Sequence, residues 1–558
     1  MSLTTITAGG PTSRPTAPAT TLAAENNCRR RYPSGIWGDF FATHEPCTPE
    51  ELLSMKEKAA AKKEEVRRIV QDAAASADLA LKLGLVDVLQ RLGVDYHFHE
   101  EIDELLRSVY HDKDGGSDDG LYVTSLRFYL LRKHGYAVSS DVFEKFKDEQ
   151  GNISSDDVNI MIMLYDAAHI RTRGEDILDN IISFNKCRLR SLLKTNLDPS
   201  VKEEVRVTLE TTRFRRVQRV EARRFISVYE KNVMRDTTIL EFARLDYNIV
   251  QMVYCKELRE LSIWWKDLRS QVDLSFSRDR LVEMYFWMTA IVFEPFYSYS
   301  RIMLTKLVLY MALLDDIYDN YSTTEESNIF TTALERWDEK AAEHIPAYLR
   351  EFYKSVLRTA ADVVVELEKQ NNKHAELARE MVLHIAKCYH AEVKWRDEHY
   401  VPAHVDEHLE LSMESIAGMQ TLVLTFISMG DVTTREAIEW AWTYPKMVKG
   451  ITVMARVLND IMSHEREQAS DHMASTVQTC MTQYGVTVEE AVEKLKVIVE
   501  EAWMDVVKDF LDQKYPMELL KKGISTGQSI DFIYKSEDLF TLPYNLKDTI
   551  TSLYVKSI

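Results

Sequence analysis

Apolar residues recur at the 3.6-residue spacing of an α-helix along almost the whole chain from residue 28 onward. Residues 50–80 form the first such stretch, with Glu and Lys on its predicted exposed face. Further stretches follow at 121–134, 157–167, 176–184, 201–211 and 219–230. Polar segments such as 111–120 and 147–152 separate the stretches, and no repeat of fixed length is visible. The pattern predicts an all-α protein.

The hydrophobic pattern changes near residue 235. Beyond this point the apolar stretches are longer and less often interrupted, at 281–298, 301–319, 411–429 and 446–463. We therefore expect two helical domains, an N-terminal one over residues 28–235 and a more apolar C-terminal one over residues 236–558.

Residues 1–27 differ from the rest of the chain. Ser, Thr, Ala and Pro dominate, no aromatic residue occurs, and the first acidic residue is Glu25. Such a segment cannot bury enough apolar surface to fold, so we expect a disordered tail. Transit peptides share the bias to Ser and Thr but are usually rich in Arg, whereas Arg14 stands alone here. The expected location is the cytoplasm, with import into plastids as the alternative.

The composition agrees with a helical protein and narrows its partners. Gly (18) and Pro (13) are scarce in 558 residues, whereas β-sandwiches and barrels need both for their turns. A formal charge of −19 makes the chain a poor binder of nucleic acid or anionic membranes. Lys306 and Glu294 interrupt the longest apolar runs, so we expect no membrane span. The six cysteines are widely spaced without a zinc pattern, which predicts reduced thiols.

The apolar stretch LYMALLDDIYDNY (309–321) ends in three aspartates, Asp315, Asp316 and Asp319. On a helix Asp315 and Asp319 are i and i+4, so their carboxylates project from one face and repel each other. A helix C-terminus also disfavours negative charge. Mg²⁺ takes oxygen ligands and is often shared between one or two carboxylates and a substrate phosphate. We therefore interpret these residues as metal ligands, with an ordinary acidic helix end as the alternative.

A second oxygen-rich stripe lies in ARVLNDIMSHERE (455–467). Asn459, Ser463 and Glu467 are spaced four residues apart, on a helix that is otherwise apolar. An amide oxygen, a hydroxyl and a carboxylate together form a ligand set suited to one Mg²⁺. An exposed polar face with local hydrogen bonds is the alternative. Two such stripes on the most apolar helices predict a pocket with cations on both walls.

Basic residues lie close to both stripes in the sequence. Arg278 and Arg280 precede an aromatic helix, and Arg456 precedes the second stripe. Arginine binds phosphate with two parallel hydrogen bonds, so these residues predict a diphosphate held between metal ions and guanidinium groups. Surface ion pairs are the alternative. Among the aromatic residues that follow the arginines, Trp287 is the one we assign to the pocket wall, and most of the others we assign to the core.

These motifs together resemble those of plant class I terpene synthases, more narrowly of angiosperm sesquiterpene synthases. DDIYD (315–319) is similar to the DDxxD motif, and NDIMSHERE (459–467) to the second metal motif of that family. RDR (278–280) is similar to the RxR motif upstream of the first. The resemblance covers residues 28–558 and includes SLRFYLLRKHGYAVSSDVFEKFKDEQG, LEFARLDYNIVQ, WWKDL, FTTALERWD and EVKW.

The resemblance implies a C-terminal class I terpenoid synthase α-bundle behind an N-terminal, α-barrel-like helical domain. It implies three Mg²⁺ ions, with Mn²⁺ able to replace them. Asp315 and Asp319 would bind two ions with the support of Asp316. The third ion would be bound by Asn459, Ser463 and Glu467.

The implied reaction is that of a carbon–oxygen lyase acting on phosphates. Farnesyl diphosphate would be ionised, and the carbocation would cyclise before a sesquiterpene is released. Arg278, Arg280 and Arg456 would draw the diphosphate away, and Trp287 would stabilise the cation through its π face. The expected partner is a small prenyl diphosphate, without nucleic acid or membrane, and the expected assembly is a monomer.

Several positions depart from the family pattern. No DxDD motif occurs, so we expect acyclic prenyl diphosphates as substrates. Where the family commonly has Asp-Gly-Tyr in a lid, this chain has Asp538-Leu539-Phe540, and we expect the ring of Phe540 to close over the cation. Ala469–Asp471 lacks an arginine often found there, and residues 28–41 miss the arginine-to-tryptophan spacing of plastid monoterpene synthases.

Three other functions remain open from the sequence. A monoterpene synthase that uses geranyl diphosphate is the closest alternative. A chain-elongating prenyl diphosphate synthase would need a second DDxxD motif, which NDIMSHERE does not supply. A non-catalytic helical scaffold would explain the helices but would leave both oxygen-rich stripes and RDR without a role.

Overall fold

The computed structural model describes residues 35–112, 119–398, 400–467 and 475–558, apart from the side chains of Asn320 and Glu467. The predicted tail 1–27, the centre of the polar segment 111–120 and the segment Ala469–Asp471 therefore lie outside the described residues. Throughout the described ranges the chain forms helices, turns and loops, with no β-strand.

The first nine α-helices precede residue 235, where the hydrophobic pattern changes. They are α1 (Phe40–Thr43), α2 (Pro49–Ala75), α3 (Leu79–Leu92), α4 (His99–His111), α5 (Leu121–Lys133), α6 (Val158–Ala168), α7 (Asp176–Leu192), α8 (Pro199–Glu210) and α9 (Gln218–Tyr229). Thr48 and Glu51 cap α2 reciprocally, each side chain accepting from the backbone N–H of the other, which fixes where that helix begins.

The remaining α-helices follow the long helix α10. They are α10 (Thr237–Gln271), α11 (Leu281–Ile291), α12 (Ser298–Asp316), α13 (Thr324–Arg336), α14 (Arg350–Lys369), α15 (Leu377–Asp397), α16 (Val405–Ser412), α17 (Gly418–Ser428), α18 (Arg435–Trp442), α19 (Lys446–Glu467), α20 (Thr476–Tyr484), α21 (Val488–Asp512), α22 (Met517–Tyr534) and α23 (Pro543–Tyr554). Asp236 accepts hydrogen bonds from the backbone N–H groups of Thr238 and Ile239 and so starts α10.

The prediction of a single helix over residues 50–80 is wrong. The chain leaves helical geometry at Ser76, and α3 begins after Asp78. The Asp78 carboxylate accepts a hydrogen bond from the backbone N–H of Leu81 at 3.1 Å and caps the new helix. Hydrophobic periodicity continued across this break because both helices bury one face in the same core.

Two of the apolar stretches near the cavity are also shorter helices than predicted. In 281–298, α11 ends at Ile291, and Pro295 opens a separate 3₁₀ turn because it lacks a backbone donor. In 411–429 the chain turns at Ala417, whose φ of 58° is left-handed. Glu294 and Pro295 mark the first break in the sequence, whereas the apolar pattern around Ala417 gives no comparable signal of a helix end.

The helices form two groups along the chain, α1–α9 and α11–α23, and the long helix α10 contacts members of both. Helix α19 packs against α17, α20, α21 and α22, and α12 packs against α10, α11, α14, α15 and α17. Helix α10 contacts α1, α2 and α9 on one side and α11, α12 and α23 on the other. One apolar cluster therefore runs through both groups, from Phe41 to Tyr554. In the described part of the chain, every helix is too short or too polar to cross a bilayer.

Candidate active site

A cavity of about 530 Å³ lies among α11, α12, α15, α17, α19 and α22. Along α12 its wall changes from apolar at Val308 and Met311 to acidic at Asp315 and Asp319, because residues three and four apart share a helix face. The rest of the wall combines polar and charged residues with an apolar group, namely Met284, Trp287, Met288, Ile291, Tyr389, Ile416, Ala455, Ile530, Tyr534 and Phe540. Apolar walls with a few convergent polar groups are typical of a small-molecule site.

The acidic edge of the cavity is formed where α12 ends. The α-helix stops at Asp316 and continues as one π-helical turn, Ile317–Tyr321. Arg396 donates hydrogen bonds to the carbonyls of Tyr318 at 2.9 Å and Asp319 at 2.7 Å, so a cation offsets the negative end of the helix. π-Helical turns are frequent at functional sites.

The carboxylates at this edge lie in an excess of negative charge. Burial and the charges of Asp319, Asp316 and Glu392 raise the pKa of Asp315 well above its usual range, and Arg456 only partly opposes them. Burial, together with Glu392 and Asp316, raises the pKa of Asp319 in the same way. Both groups would be stabilised as anions by an additional cation placed between them.

Asp316 has a different role from its two neighbours. Its Oδ2 accepts a hydrogen bond from the Ser277 hydroxyl and another from Arg280 Nη1 at 3.0 Å. The side chain therefore connects the acidic end of α12 with the segment that carries the RDR motif. The structure brings these two motifs together although 36 residues separate Arg280 from Asp316.

The second stripe lies on α19, across the cavity from α12. Asn459 lines the cavity close to the Tyr534 hydroxyl. One turn further, Ser463 is fully buried and its hydroxyl has no hydrogen-bond partner in the described part of the protein. Asp460 points elsewhere, since its carboxylate accepts from the backbone N–H of Thr476 at 2.6 Å. The side chain of Glu467 lies outside the described residues.

These donors fit a hard divalent cation. Within the described ranges, no group of three or more His, Cys, Asp and Glu side chains could hold a metal ion by itself. Mg²⁺ does not require such a cage, because it keeps water ligands and is shared with substrate phosphate. The carboxylates of Asp315 and Asp319 and the amide of Asn459 supply oxygen to the cavity from two walls. The unpartnered hydroxyl of Ser463 is buried one helical turn beyond Asn459, outside the residues that line the cavity.

All three predicted arginines line this cavity. Arg280 is held by Asp316, and its guanidinium carbon lies 4.9 Å from the ring centre of Phe540. Arg456 Nη2 donates to the Ser415 hydroxyl at 3.0 Å and lies 3.5 Å from the Glu392 carboxylate. Both side chains are therefore oriented by protein groups in advance of any ligand, which lowers the entropic cost of binding an anion.

An aromatic group forms the wall next to the arginines. The indole Nε1 of Trp287 donates to the Ser529 hydroxyl at 2.9 Å, which fixes the plane of the ring. The rings of Phe540 and Tyr534 meet Trp287 edge to face, with centroids 5.3 Å and 5.9 Å away. Such rings stabilise a cation without offering it a nucleophilic atom.

The sequence interpretation missed two charged residues of the cavity wall. Glu392 lines the cavity, accepts a hydrogen bond from the Ser415 hydroxyl and pairs with Arg456. Arg466 also lines the cavity and pairs with Asp538 at 3.1 Å, which links α19 to the segment that carries Phe540. Both residues lie in segments that we cited for the family resemblance, but their partners are far away in sequence and no local pattern identifies them.

Comparisons with known proteins identify two family domains along the chain. Residues 266–505 match the model of the terpene synthase family, metal binding domain. Residues 36–209 match the model of the terpene synthase N-terminal domain. The two matches follow the chain order of the two helical groups.

Curated relatives match over nearly the full length of both chains. The chain is 48% identical to (E)-beta-caryophyllene synthase of Zea mays over 539 residues, which is 96% of this chain and 98% of that protein. It is 43% identical to beta-sesquiphellandrene synthase of Sorghum bicolor, over 94% of this chain and 96% of that protein.

Solved structures share the same fold. Isoprene synthase from grey poplar leaves (Populus x canescens), in complex with three Mg²⁺ ions and dimethylallyl-S-thiolodiphosphate, matches with a TM-score of 0.83 and 28% identity, over 90% of this chain and 97% of that one. Limonene synthase with 2-fluorolinalyl diphosphate matches with a TM-score of 0.86 and 26% identity, over 95% and 99%. The predicted all-α fold of the class I terpenoid synthases is confirmed, and the chain belongs to the terpene synthase family.

Proposed function

We propose that this terpene synthase is a sesquiterpene synthase that ionises farnesyl diphosphate, guides cyclisation of the carbocation and releases a hydrocarbon and diphosphate. The observation that carries the proposal is the meeting of two oxygen-rich helix faces, three arginines and an aromatic wall in one cavity. The curated relatives support the choice of substrate, because caryophyllene, sesquiphellandrene, farnesene and zingiberene are all sesquiterpenes.

Asp315 and Asp319 would hold two of three Mg²⁺ ions, with Asp316 in support, and Asn459, Ser463 and Glu467 would hold the third. When bound, Mg²⁺ supplies Lewis-acid charge at the diphosphate oxygens. The poplar isoprene synthase, which binds three Mg²⁺ ions, supports this number. Mn²⁺ prefers the same oxygen donors and would replace Mg²⁺.

Arg278, Arg280 and Arg456 would bind the diphosphate and keep it bound after the carbon–oxygen bond breaks. Their charge lies at the polar edge of the cavity, so the negative leaving group is held away from the apolar part. Separation of the two ions prevents their recombination. Asp316 and Glu392 orient Arg280 and Arg456 for this task.

Trp287, Tyr534 and Phe540 would face the reacting cation. Their π faces favour positive charge, and the apolar side chains around them exclude the water that would capture it. Arg466 and Asp538 connect α19 with the segment of Phe540, so closure of this segment would involve both walls of the cavity.

A monoterpene synthase that uses geranyl diphosphate is the second candidate. The close structural match to limonene synthase favours it, because the same fold accepts an analogue with a shorter chain. We propose that the protein acts as a monomer in the cytoplasm, with domains over residues 28–235 and 236–558 and a tail over residues 1–27. Import of a fluorescent fusion of residues 1–27 into plastids would favour geranyl diphosphate as the substrate.

Gas chromatography with mass spectrometry of the products from each substrate tests the proposal. With Mg²⁺ and farnesyl diphosphate we expect sesquiterpene hydrocarbons together with released diphosphate, and neither with EDTA. Turnover of geranyl diphosphate alone would replace the first candidate by the second. Absence of diphosphate release from both substrates would contradict the proposal as a whole.

A further inference from the structure

The carboxylate between the two arginines of the RDR motif is turned away from the cavity. Asp279 Oδ1 accepts a hydrogen bond from Trp265 Nε1 at 3.0 Å, and Oδ2 accepts one from Arg269 Nη1 at 2.8 Å. Oδ2 also accepts the backbone N–H of Gly35 at 3.3 Å, across 244 residues of sequence. One side chain thus joins α10, the RDR motif and the beginning of the described chain.

The four residues Ser277–Arg280, which we name the arginine loop, are held from two sides. On the cavity side, Ser277 and Arg280 both donate to Asp316. On the outer side, Asp279 accepts the three hydrogen bonds just described. Arg278 and Arg280 flank Asp279 in the sequence, and both line the cavity. The position of both guanidinium groups therefore depends on how the loop backbone is fixed.

Residues 35–41, which we name the N-terminal segment, are docked firmly beside this loop. Trp37 Nε1 donates to the buried carboxylate of Glu283 at 3.1 Å. Phe41 is only 1% exposed and lies in the shared core. A Cβ atom added to Gly35 would lie 3.1 Å from the Cγ and the carbonyl oxygen of Asp279, closer than nine in ten real Cβ contacts. The absence of a side chain at Gly35 is what allows this approach.

We infer that Asp279 is a positioning residue through which the N-terminal segment holds Arg278 and Arg280 in place for the diphosphate. The inference rests on the proposed function, which assigns the diphosphate to these arginines. Arginine side chains are flexible, and fixing their backbone before binding removes part of the ordering cost. Asp279 does this without contact to the substrate.

Asp279→Asn tests the inference with little change in volume. The variant can still accept the indole hydrogen of Trp265 through its amide oxygen. Its NH₂ group, however, replaces the carboxylate oxygen that accepts from Arg269 and Gly35, so two donors would face a third donor. Because misplacing a binding group by about 1 Å costs up to ~10²-fold, we expect KM for farnesyl diphosphate to rise about tenfold. The inhibition constant of inorganic pyrophosphate with Mg²⁺ should rise in parallel, whereas kcat should change less.

Gly35→Ala tests the same contact from the other side, and it serves if Asp279→Asn fails to fold. The new methyl group should displace the N-terminal segment from Asp279 and raise the same two constants about threefold or more. Gly84→Ala in α3 is the matched control, since no atom lies within 4 Å of a Cβ added there. It should leave KM and the pyrophosphate constant unchanged.

The double variant distinguishes positioning from general damage. If Gly35 acts through Asp279, adding Gly35→Ala to Asp279→Asn should produce no further rise in either constant. Multiplication of the two effects would overturn the inference. A lower melting temperature with unchanged KM and pyrophosphate inhibition in both single variants would also overturn it. Failure of the wild-type protein to release diphosphate would instead contradict the proposed function, so the two failures are distinguishable.

Discussion

Glu221 in α9 and Asp315 at the end of α12 are both carboxylates inside the protein, but their surroundings have opposite charge. Glu221 lies 3.1 Å from Arg216, 2.9 Å from Arg224 and 3.4 Å from Arg91. Burial alone would raise its pKa, but the charges and hydrogen bonds of these arginines outweigh burial and lower the pKa to about 2. Arginines also surround the neighbouring Glu204 and lower its pKa to about 2.

Around Asp315 the neighbouring charges are mainly negative, so they raise the pKa of the carboxyl group instead of lowering it. Burial raises its pKa, and the nearby carboxylates of Asp319, Asp316 and Glu392 raise it further. The cations in reach are already engaged, since Arg280 pairs with Asp316 and Arg456 lies against Glu392. The arginines around Glu221 and Glu204 thus neutralise these two buried acids, whereas the cavity accumulates carboxylates without enough cations to balance them.

The difference separates a structural network from a binding site. Ion pairs that hold a fold satisfy every charge, because an unpaired buried charge costs several kcal/mol. A protein can retain uncompensated carboxylates when a ligand supplies the missing positive charge, and perturbed groups of this kind cluster at functional sites. Four experiments test this difference between the two regions, beginning with the strongest effect.

Asp315→Ala should abolish turnover without unfolding the protein. Losing one group that stabilises an oxyanion costs about 10²–10³ in rate, and losing a metal ligand should cost more than about 10³. Diphosphate release measures the rate, and a thermal melt reports the fold. Because the substitution removes a repelling charge, the melting temperature should stay the same or rise. A folded variant that keeps a tenth of the wild-type rate would contradict the metal assignment.

Glu221→Ala should lower the stability of the protein and leave turnover by the folded fraction intact. It leaves Arg91, Arg216 and Arg224 with less negative charge in a buried site, so the free energy of unfolding should fall by about 3–5 kcal/mol. Urea denaturation gives this value, and kcat of the folded fraction should not change. Glu203→Ala is the control, because Glu203 is more than half exposed and pairs only locally with Arg206. Equal stability of the two variants would show that the buried ion pairs of Glu221 stabilise the protein no more than an exposed pair does.

The two carboxylates should also give stability profiles of opposite sign against pH. A carboxyl group with a raised pKa holds its proton longer in the folded state, so its contribution is full below the unfolded pKa and is lost as pH rises. In EDTA, Asp315→Asn should therefore gain stability over the wild type as the pH rises above the unfolded pKa of the carboxyl group, about 4.

Glu221, with its lowered pKa, supplies the matched opposite. Its contribution is present above the unfolded pKa and disappears as pH falls through its folded value of about 2. At neutral pH the wild type should therefore be more stable than Glu221→Gln, and this advantage should shrink as the pH falls. Asp315→Asn should instead be more stable than the wild type at neutral pH, and its advantage should also shrink as the pH falls. Urea denaturation at several pH values measures both. Added Mg²⁺ should reduce the gain of Asp315→Asn, and an equal gain with and without Mg²⁺ would contradict the site.

Local sequence patterns predicted part of the set of residues that line the cavity, among them Asp315, Asp319 and Asn459. The i, i+4 spacing predicts that Asp315 and Asp319 share one helix face, and both line the cavity although Asp319 lies in the π-helical turn that follows α12. Asn459 lines the cavity as well, whereas Ser463 is buried one turn further along α19 and does not line it. The helical fold followed from periodicity for the same reason. Where a helix end depended on one residue, as at Ala417, periodicity alone could not find it.

Partner choice could not be predicted in the same way. Glu392 pairs with Arg456 across 64 residues, and Asp279 accepts from Gly35 across 244. The chain contains 88 acidic and 69 basic residues, so charge alone allows many pairings and only the packed helices select among them. The arginines were found as a motif, but the groups that orient them became visible only in three dimensions.

The smallest of the four effects concerns a contact that occurs in both parts of the molecule, a guanidinium group over an aromatic ring. Arg91 lies 3.7 Å from the ring centre of buried Phe225, and Arg280 lies 4.9 Å from that of Phe540 in the cavity wall. Only the second ring also meets Trp287 and borders the cavity. The two phenylalanines are therefore a matched pair for separating structure from chemistry.

Phe540→Ala should leave diphosphate ionisation intact but shift the products toward acyclic compounds and alcohols. The ring stabilises a nearby cation by about 0.5–2 kcal/mol, and its removal opens the cavity to water, which captures a carbocation at once. Phe540→Tyr keeps the π face and should change the product ratio only slightly. Phe225→Ala should lower the melting temperature and leave the product ratio unchanged. Gas chromatography of all three variants decides the matter, because an unaltered profile in Phe540→Ala would remove this ring from the reacting site.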